Sequence, residues 1–227
     1  MSVTGVISNI SRCSVNDGPG VRTVVYFKGC NLRCKWCHNP ELISFHRELA
    51  YFPQKCIFCG RCVMMCPKVH IIENNLVKLK RECCTACGKC ADECPANALE
   101  LIGKEMSVDE VFTEVLKDRH FFNESGGGVT FSGGDPLCPG NRETVGQLIA
   151  EIHERFPEKT IWLYTGDLFE SFRDTLSFLP MIDVIVDGPY VEALRDVNLR
   201  WKGSKNQRVI DVKKTLASGA IVLWAKN

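Results

Sequence analysis

The sequence has no long hydrophobic run and almost no net charge. No uninterrupted apolar stretch approaches the roughly 20 residues that cross a membrane, and no apolar N-terminal segment with a basic start resembles a secretion signal. The 28 Lys and Arg residues nearly balance the 27 Asp and Glu residues, which gives a formal net charge of +1. This balance gives no reason to expect nucleic acid or a membrane as a partner. We therefore expect a cytoplasmic protein.

Cysteine, in contrast, is abundant. The chain has 14 Cys among 227 residues, and all of them except Cys13 and Cys138 lie between Cys30 and Cys94. A cysteine-rich chain without a secretion signal more often binds metal than forms disulfides. We therefore expect metal chemistry in the N-terminal half.

The first cysteine group has the spacing CxxxCxxC, in the string GCNLRCKWCHNP at residues 29–40. Cys30, Cys34 and Cys37 can hold three irons of a [4Fe–4S] cluster and leave the fourth iron without a protein ligand. Clusters that only relay electrons usually have all four irons capped by Cys. An open iron can bind a substrate or cofactor, as the open position of a catalytic metal site does. The alternative is a zinc knuckle.

The second cysteine group is an internal repeat. The pattern CxxCxxCxxxCP occurs at residues 56–67 and again 28 residues later at 84–95. It is the bacterial two-cluster ferredoxin arrangement, in which the fourth Cys of each run ligates the other cluster. One cluster is then held by Cys56, Cys59, Cys62 and Cys94. The other is held by Cys66, Cys84, Cys87 and Cys90. A zinc ribbon is the alternative, and the surplus Cys83 is predicted to be a packed thiol.

Outside this repeat, predicted strands alternate with predicted helices. Runs of β-branched and aromatic residues predict strands near 21–27, 129–131, 160–164, 184–186 and 221–224. Helical spacing of apolar residues predicts helices near 142–156, 168–178 and 209–216, and a capping box at 107–110 precedes another. The alternation implies parallel βα units in an open sheet or an incomplete barrel. Loops at the carboxyl ends of such strands carry function, and the CxxxCxxC loop falls there.

The string CNLRCKWCHNP resembles the radical S-adenosylmethionine superfamily. DGPGVR at 17–22 and SGGGVTFSGGDP at 125–136 resemble signatures of the activating enzymes of glycyl-radical enzymes. The C-terminal third, at 161–166, 186–190 and 199–207, resembles the activating enzyme of anaerobic ribonucleotide reductase. The resemblance implies a partial (β/α) barrel of radical S-adenosylmethionine type with an inserted ferredoxin-like module of two [4Fe–4S] clusters. The core would comprise residues 1–50 and 103–227, and the insert residues 51–102.

The resemblance also implies an activity. The methionyl amino and carboxylate groups of S-adenosylmethionine would chelate the open iron, and one electron would cleave a sulfonium C–S bond. The resulting 5′-deoxyadenosyl radical would take hydrogen from a backbone glycine of a partner, either anaerobic ribonucleotide reductase or a pyruvate formate-lyase-like enzyme. The cofactors would be three [4Fe–4S] clusters and S-adenosylmethionine, and flavodoxin or ferredoxin would donate electrons.

Several residues outside the cysteine motifs take roles from this resemblance. Gly133 and Gly134 would let the backbone approach S-adenosylmethionine closely, because glycine lacks Cβ; a simple tight turn is the alternative. Asp135, where most of the superfamily has Glu, would accept hydrogen bonds from the methionyl ammonium.

Three further residues are predicted near the cofactor. Trp36 and His38, on either side of Cys37, would pack against adenine, with wall packing without direct contact as the alternative. Asp187 matches an acidic residue near the active site of the family.

Two other functions remain open from the sequence. The chain could be a radical S-adenosylmethionine enzyme that acts on a small molecule or peptide. It could also be a ferredoxin-like electron-transfer protein in which every cluster only relays electrons. The DGPGVR and SGGGVTFSGGDP strings argue against the first alternative, and the open-iron motif argues against the second.

Overall fold

The computed structural model of the protein describes residues 3–74 and 76–225. The chain divides into two compact units, of which one contains the residues up to Phe45 and from Glu105 onward. The other unit is His46–Lys104. The assignment of a two-cluster module to 51–102 stays a prediction.

The described strands and helices follow one another along the chain in a mixed α/β order. The strands are β1 (Thr4–Ser14), β2 (Arg22–Phe27), β3 (Glu48–Tyr51), β4 (His70–Glu73), β5 (Leu76–Leu79), β6 (Leu99–Ile102), β7 (Lys104–Ser107), β8 (Gly128–Gly133), β9 (Thr160–Tyr164), β10 (Val184–Asp187) and β11 (Arg208–Asp211). The helices are α1 (Arg61–Met65), α2 (Lys89–Asp92), α3 (Val108–Leu116), α4 (Arg119–Ser125), α5 (Arg142–Arg155), α6 (Phe169–Phe172) and α7 (Val212–Ser218). Within the described residues, no helix combines the length and the apolar character needed to cross a membrane.

A seven-stranded mixed sheet forms the centre of the first unit, in the order β11-β10-β9-β8-β2-β1-β7. The four strands β2, β8, β9 and β10 run parallel to one another. β1 is antiparallel to β2, and β11 is antiparallel to β10. The carboxyl ends of the four parallel strands therefore lie at one edge of the sheet. The α/β class expected from the sequence is confirmed.

The central strands are buried on both faces. All four residues of β10 are buried, and five of the six residues of β2 are. Strands covered on both faces read as continuous hydrophobic runs, which is why the sequence predicts them within about two residues. The capping box also forms as predicted, because Ser107 accepts a hydrogen bond from the Glu110 N–H and the Glu110 side chain accepts one from the Ser107 N–H.

Three predicted elements were wrong in extent or type. The helix predicted near 168–178 is only the single turn α6, in which Phe169 and Phe172 are buried; their spacing reflects packing rather than a long helix. The helix predicted near 209–216 begins at Val212, because Asp211 caps it by accepting the Lys214 N–H and the preceding residues form the edge strand β11. The strand predicted near 221–224 is reduced to a bridge at Leu223.

The strand β1 has no clear signal in the sequence. Its residues TGVISNISRCS mix apolar side chains with Gly, Ser and Asn, which favour strands weakly. Its pairing with β2 is interrupted by register shifts between Ile7 and Asn9 and between Ser11 and Ser14. The strand forms because β2 offers an unpaired edge and Ile7 enters the core.

The second unit repeats one backbone pattern. Gly60 and Gly88 precede the short helices α1 and α2, with left-handed φ values of 75° and 86°. Two residues before each glycine, Phe58 and Ala86 are also left-handed, with φ values of 55° and 51°. The 28-residue sequence repeat is therefore a repeat of conformation as well. β3 pairs with β6 and β4 with β5, both antiparallel.

Candidate functional site

A cavity of about 540 Å³ lies in the first unit, where the parallel strands end. Its lining includes a residue that follows each of the four strands: Cys30 after β2, Gly134 after β8, Thr165 after β9 and Gly188 after β10. Ligands of open α/β sheets bind at this edge, outside the carboxyl ends of the strands. We call this the central cavity.

All three cysteines of the CxxxCxxC motif line the central cavity. Cys30 is buried, whereas Cys34 and Cys37 are partly exposed. Burial raises the pKa of the Cys30 thiol to about 11. Within the part of the chain that the structure describes, no group of three or more His, Cys, Asp or Glu side chains is arranged to hold a metal ion. The three cysteines share the lining of one cavity, and their ligation of a cluster stays a prediction.

The start of the cysteine loop, residues 30–43, is held by main-chain hydrogen bonds to its end. The Gly29 N–H donates to the Leu42 carbonyl at 2.7 Å, and the Cys30 N–H donates to the Ile43 carbonyl at 3.0 Å. The buried Lys28 ammonium donates to the Glu41 carbonyl at 2.5 Å. These bonds fix Cys30 where β2 ends.

The glycine turn, Gly133–Gly134, lines the central cavity and also packs on the chain behind it. A Cβ on Gly133, whose φ is +107°, would lie 2.5 Å from the Phe27 carbonyl oxygen, and a Cβ on Gly134 would lie 2.3 Å from the Gly29 carbonyl oxygen. The Gly134 N–H donates to Phe27, and the Asp135 N–H donates to Gly29. Glycine is therefore required by close packing against the base of the cysteine loop, in addition to any approach of a ligand.

Replacing Gly134 with Ala is expected to displace the cysteine loop, because the clash is with main-chain atoms. We expect a loss of about 2–3 kcal/mol in unfolding free energy and a lower iron content after reconstitution. The control is Gly126→Ala, where a Cβ meets nothing within 4 Å and only left-handed backbone strain costs about 1 kcal/mol. Anaerobic thermal unfolding and iron analysis of both variants make the comparison. Equal iron content in the two would contradict the packing argument.

Asp135 does not line the central cavity. It is 1 % exposed, and its carboxylate accepts hydrogen bonds from the Thr165 hydroxyl at 3.0 Å and from the Gly166 N–H at 3.0 Å. It also accepts the Leu137 N–H at 2.9 Å. Burial raises the pKa of Asp135. In this arrangement Asp135 joins the turn after β8 to the turn after β9, because its oxygens accept hydrogen bonds from donors in both turns.

Asp187 is likewise buried and bound to protein. Its carboxylate accepts the Phe169 N–H at 2.8 Å and two hydrogen bonds from Arg208, at 3.0 and 2.5 Å. Arg208 also pairs with Glu170 at 2.7 Å, and this hydrogen bond lowers the pKa of Glu170 to about 2. Asp187 thus positions α6 and β11 behind the cavity rather than lining it.

Trp36 and His38 both line the central cavity. Trp36 is 46 % exposed, and its indole N–H donates to the Tyr190 carbonyl at 3.2 Å. The bond links the cysteine loop to the segment after β10. Either ring can form part of the wall, and direct contact with adenine stays a prediction.

The segment 188–207 supplies lining residues for which no role is predicted from the sequence, among them Tyr190, Glu192, Arg195 and Gln207. The Gln207 side chain holds this segment folded, because its oxygen accepts the Gly203 N–H at 2.9 Å and its nitrogen donates to the Gly188 carbonyl at 3.1 Å. The string LRWKGSKNQ was a signal for this segment, although it did not indicate which residues face the cavity.

The eight cysteines of the repeat line two separate cavities in the second unit. One is lined by Cys56, Cys59, Cys62 and Cys94, together with Tyr51. The other is lined by Cys66, Cys84, Cys87 and Cys90. Each set has the composition that interleaved ligation requires, and the ligation itself stays a prediction. In the first set, the Ala98 N–H donates to the Cys94 sulfur at 3.3 Å, and in the second the Ala86 N–H donates to the Cys84 sulfur at 3.4 Å.

Three cysteines belong neither to the CxxxCxxC motif nor to the repeat, and they differ in exposure. Cys83 is exposed, so the prediction of a packed thiol was wrong; it lies in the exposed single turn Arg81–Cys83, which ends just before Cys84. Cys13 is also exposed. Cys138 is buried, and its thiol donates to the Asn31 side-chain oxygen at 3.2 Å.

Comparison with known proteins places the chain among iron–sulfur proteins. Residues 16–68 and 75–210 match the family described as "4Fe-4S single cluster domain". The chain is 43% identical over 156 residues to the benzylsuccinate synthase activating enzyme of Thauera aromatica, covering 66% of this chain and 46% of the relative. It is 36% identical over 191 residues to the (2S)-3-sulfopropanediol dehydratase activating enzyme of Klebsiella oxytoca, covering 82% and 59%.

A third relative is the pyruvate formate-lyase 2-activating enzyme of Escherichia coli, 43% identical over 131 residues, which are 58% of this chain and 36% of the relative. The chain spans about half the length of the relatives that it matches. The resemblance to activating enzymes of glycyl-radical enzymes, seen in the sequence, is confirmed by these relatives. The family description implies at least one [4Fe–4S] cluster. The chain belongs to the family of 4Fe–4S single cluster domains.

Proposed function

We propose that this chain is a radical S-adenosylmethionine enzyme that installs a glycyl radical on a partner enzyme. The observation that carries the proposal is the central cavity, which brings Cys30, Cys34 and Cys37 together with the glycine turn at the carboxyl ends of four parallel strands. The relatives, each named as an activating enzyme, support the same reaction.

The three cysteines would hold three irons of a [4Fe–4S] cluster, whose fourth iron is open. With one electron from an external donor, this cluster would supply the reductive cleavage of bound S-adenosylmethionine, which would provide the radical that takes hydrogen from the partner's glycine. The protein's part is to bind and orient the cofactor. A cavity of about 540 Å³ lies within the range of small-molecule sites, about 300–1,000 Å³.

The glycine turn and the residues after β9 would form the wall against the cofactor. Gly133 and Gly134 expose main chain to the central cavity, and Thr165 and Gly166 line it beside them. Asp135 is a positioning residue in this proposal, because it holds Thr165 and Gly166 in place instead of contacting the methionyl ammonium. Trp36 and His38 would flank the adenine end.

The proposal also includes a more specific fold and a number of clusters. The parallel order β2-β8-β9-β10 supports a partial (β/α) barrel. The two cysteine-lined cavities of the second unit support a ferredoxin-like module, with one [4Fe–4S] cluster in each and three clusters in all. These auxiliary clusters would receive electrons from flavodoxin or ferredoxin. Cluster ligation by free thiolates suits the reducing cytoplasm.

The partner class is tested by an anaerobic activation assay read by electron paramagnetic resonance. Reconstituted protein, S-adenosylmethionine and dithionite are mixed separately with anaerobic ribonucleotide reductase and with pyruvate formate-lyase-like enzymes. We expect a glycyl doublet on at least one of them, and the relatives' names favour the second class. Cleavage of S-adenosylmethionine without any doublet would favour a small-molecule or peptide substrate. If S-adenosylmethionine is not cleaved at all, the result would favour an electron-transfer protein.

A further inference from the structure

The cavity lined by Cys56, Cys59, Cys62 and Cys94 contains a polar atom without a partner. Tyr51, the last residue of β3, lines this cavity, and its hydroxyl oxygen is buried with no hydrogen-bond partner among the residues that the structure describes. Tyr51, Cys62 and Cys94 all pack against the small core formed by Leu49, Cys90 and Leu99. We call this the Tyr51 cavity.

An unpartnered buried hydroxyl is costly, because it has lost its hydrogen bonds to water. Such groups in native proteins therefore usually have a partner, a bound ion or a bound water. The remaining residues that line the Tyr51 cavity are mostly apolar, among them Ile57, Phe58 and Leu99. The sulfur atoms of the cysteines, and the sulfides of any cluster that they hold, are acceptors within this cavity.

The phenol is suited to act as a donor. A phenol hydroxyl carries one proton that it can donate to an acceptor. Reduction adds one negative charge to a cluster, which strengthens hydrogen bonds that the sulfurs accept. A donor at this place therefore stabilises the reduced form more than the oxidised form, and hydrogen bonds to the sulfurs are one of the factors that set cluster potentials.

We propose that the Tyr51 hydroxyl donates a hydrogen bond to a sulfur of the [4Fe–4S] cluster held by Cys56, Cys59, Cys62 and Cys94, and so raises the reduction potential of that cluster. Tyr51 is a positioning residue in this role and takes no part in the chemistry. The inference rests on the cluster assignment given under the proposed function.

The test is Tyr51→Phe, which removes the hydroxyl and keeps the ring. Redox titrations followed by electron paramagnetic resonance are run on the full chain and in the Cys34→Ala background, where only the auxiliary clusters remain. We expect the equilibrium constant for reduction of one auxiliary cluster to fall about fivefold. At 59 mV per tenfold change for one electron, this corresponds to a reduction potential about 40 mV more negative. The potential of the other auxiliary cluster is expected to stay unchanged.

The control is Tyr26→Phe, in β2 of the first unit, which lines neither cysteine cavity of the second unit and should shift no potential.

Iron content separates the two ways in which the inference can fail. A Tyr51→Phe protein with about twelve irons, as expected for three four-iron clusters, and unchanged potentials would overturn the hydrogen bond alone. A wild-type protein with only about four irons would overturn the cluster assignment and the inference together.

Discussion

Replacing Cys34 with Ala is expected to abolish cleavage of S-adenosylmethionine while leaving about eight irons per chain, the content of two four-iron clusters. Cys34 lines the central cavity in the first unit. The eight cysteines of the repeat lie in the second unit and line their own cavities. A cluster held by only three cysteines has no spare ligand, so the loss of one removes its site of cofactor binding.

The measurement is 5′-deoxyadenosine released from dithionite-reduced protein, with iron and sulfide analysis of the same samples. We expect activity to fall below detection, by at least about a thousandfold, or about 4 kcal/mol in activation free energy. Cys13→Ala is the matched control, because Cys13 is exposed and belongs to none of the three sets; it should cleave S-adenosylmethionine normally. Cleavage by Cys34→Ala at the wild-type rate would refute the open-iron assignment.

Replacing Arg22 with Leu is expected to destabilise the first unit more than any surface substitution. Arg22 is fully buried. Its guanidinium donates to the Thr130 hydroxyl at 2.7 Å, to the Val129 carbonyl at 2.7 Å, and to the hydroxyl and carbonyl of Thr160 at 2.9 and 2.8 Å. It therefore joins β2, β8 and β9 near their amino ends.

The partners of Arg22 are all neutral, and burial lowers its pKa to about 9. The guanidinium also lies 5.5 Å from the ring centre of Trp162, where a cation is attracted to the ring face. Leu would leave several oxygen acceptors buried without donors, each at a cost of about 1–3 kcal/mol. Some of that cost is offset because a cation no longer has to be buried.

We expect Arg22→Leu to lower the unfolding free energy by about 3–5 kcal/mol, measured by anaerobic denaturant titration. Arg155→Leu is the control, since Arg155 is 56% exposed and pairs with Glu151 on the surface of α5; a pair of this kind contributes about 0.5 kcal/mol. Similar losses in the two variants would show that the buried network contributes little. Arg22→Lys should also be destabilised, because one ammonium cannot replace the forked donors.

The sequence predicts the parts of this fold that carry strong local signals. β2, β9 and β10 are rich in β-branched and aromatic residues, and the cysteine motifs are recognisable from their spacing. β11 was assigned to a helix because Val209 and Ile210 fit a helical apolar spacing as well as a strand. These residues form a strand because they pair with β10, and no local sequence pattern indicates this pairing.

The candidate site could also be predicted only in part from local sequence patterns. The motif residues reach the central cavity, while Asp135 and Asp187, assigned to the cofactor from the family resemblance, accept hydrogen bonds from protein donors in this structure. A sequence cannot distinguish a carboxylate that faces a ligand from one that accepts main-chain N–H groups. The sequence also did not indicate that Gln207 lines the central cavity, because its position depends on how the segment after β10 folds back.

The ends of the four parallel strands are tied to one another before any ligand binds. Gly134 bonds to Phe27 across β8 and β2, Asp135 bonds to Thr165, and the Thr165 N–H donates to the Val186 carbonyl of β10. The conformational entropy of this edge is thus lost when the chain folds rather than when a ligand arrives. Binding then has to order only the ligand and the exposed side chains, so more of the interaction energy remains available as affinity.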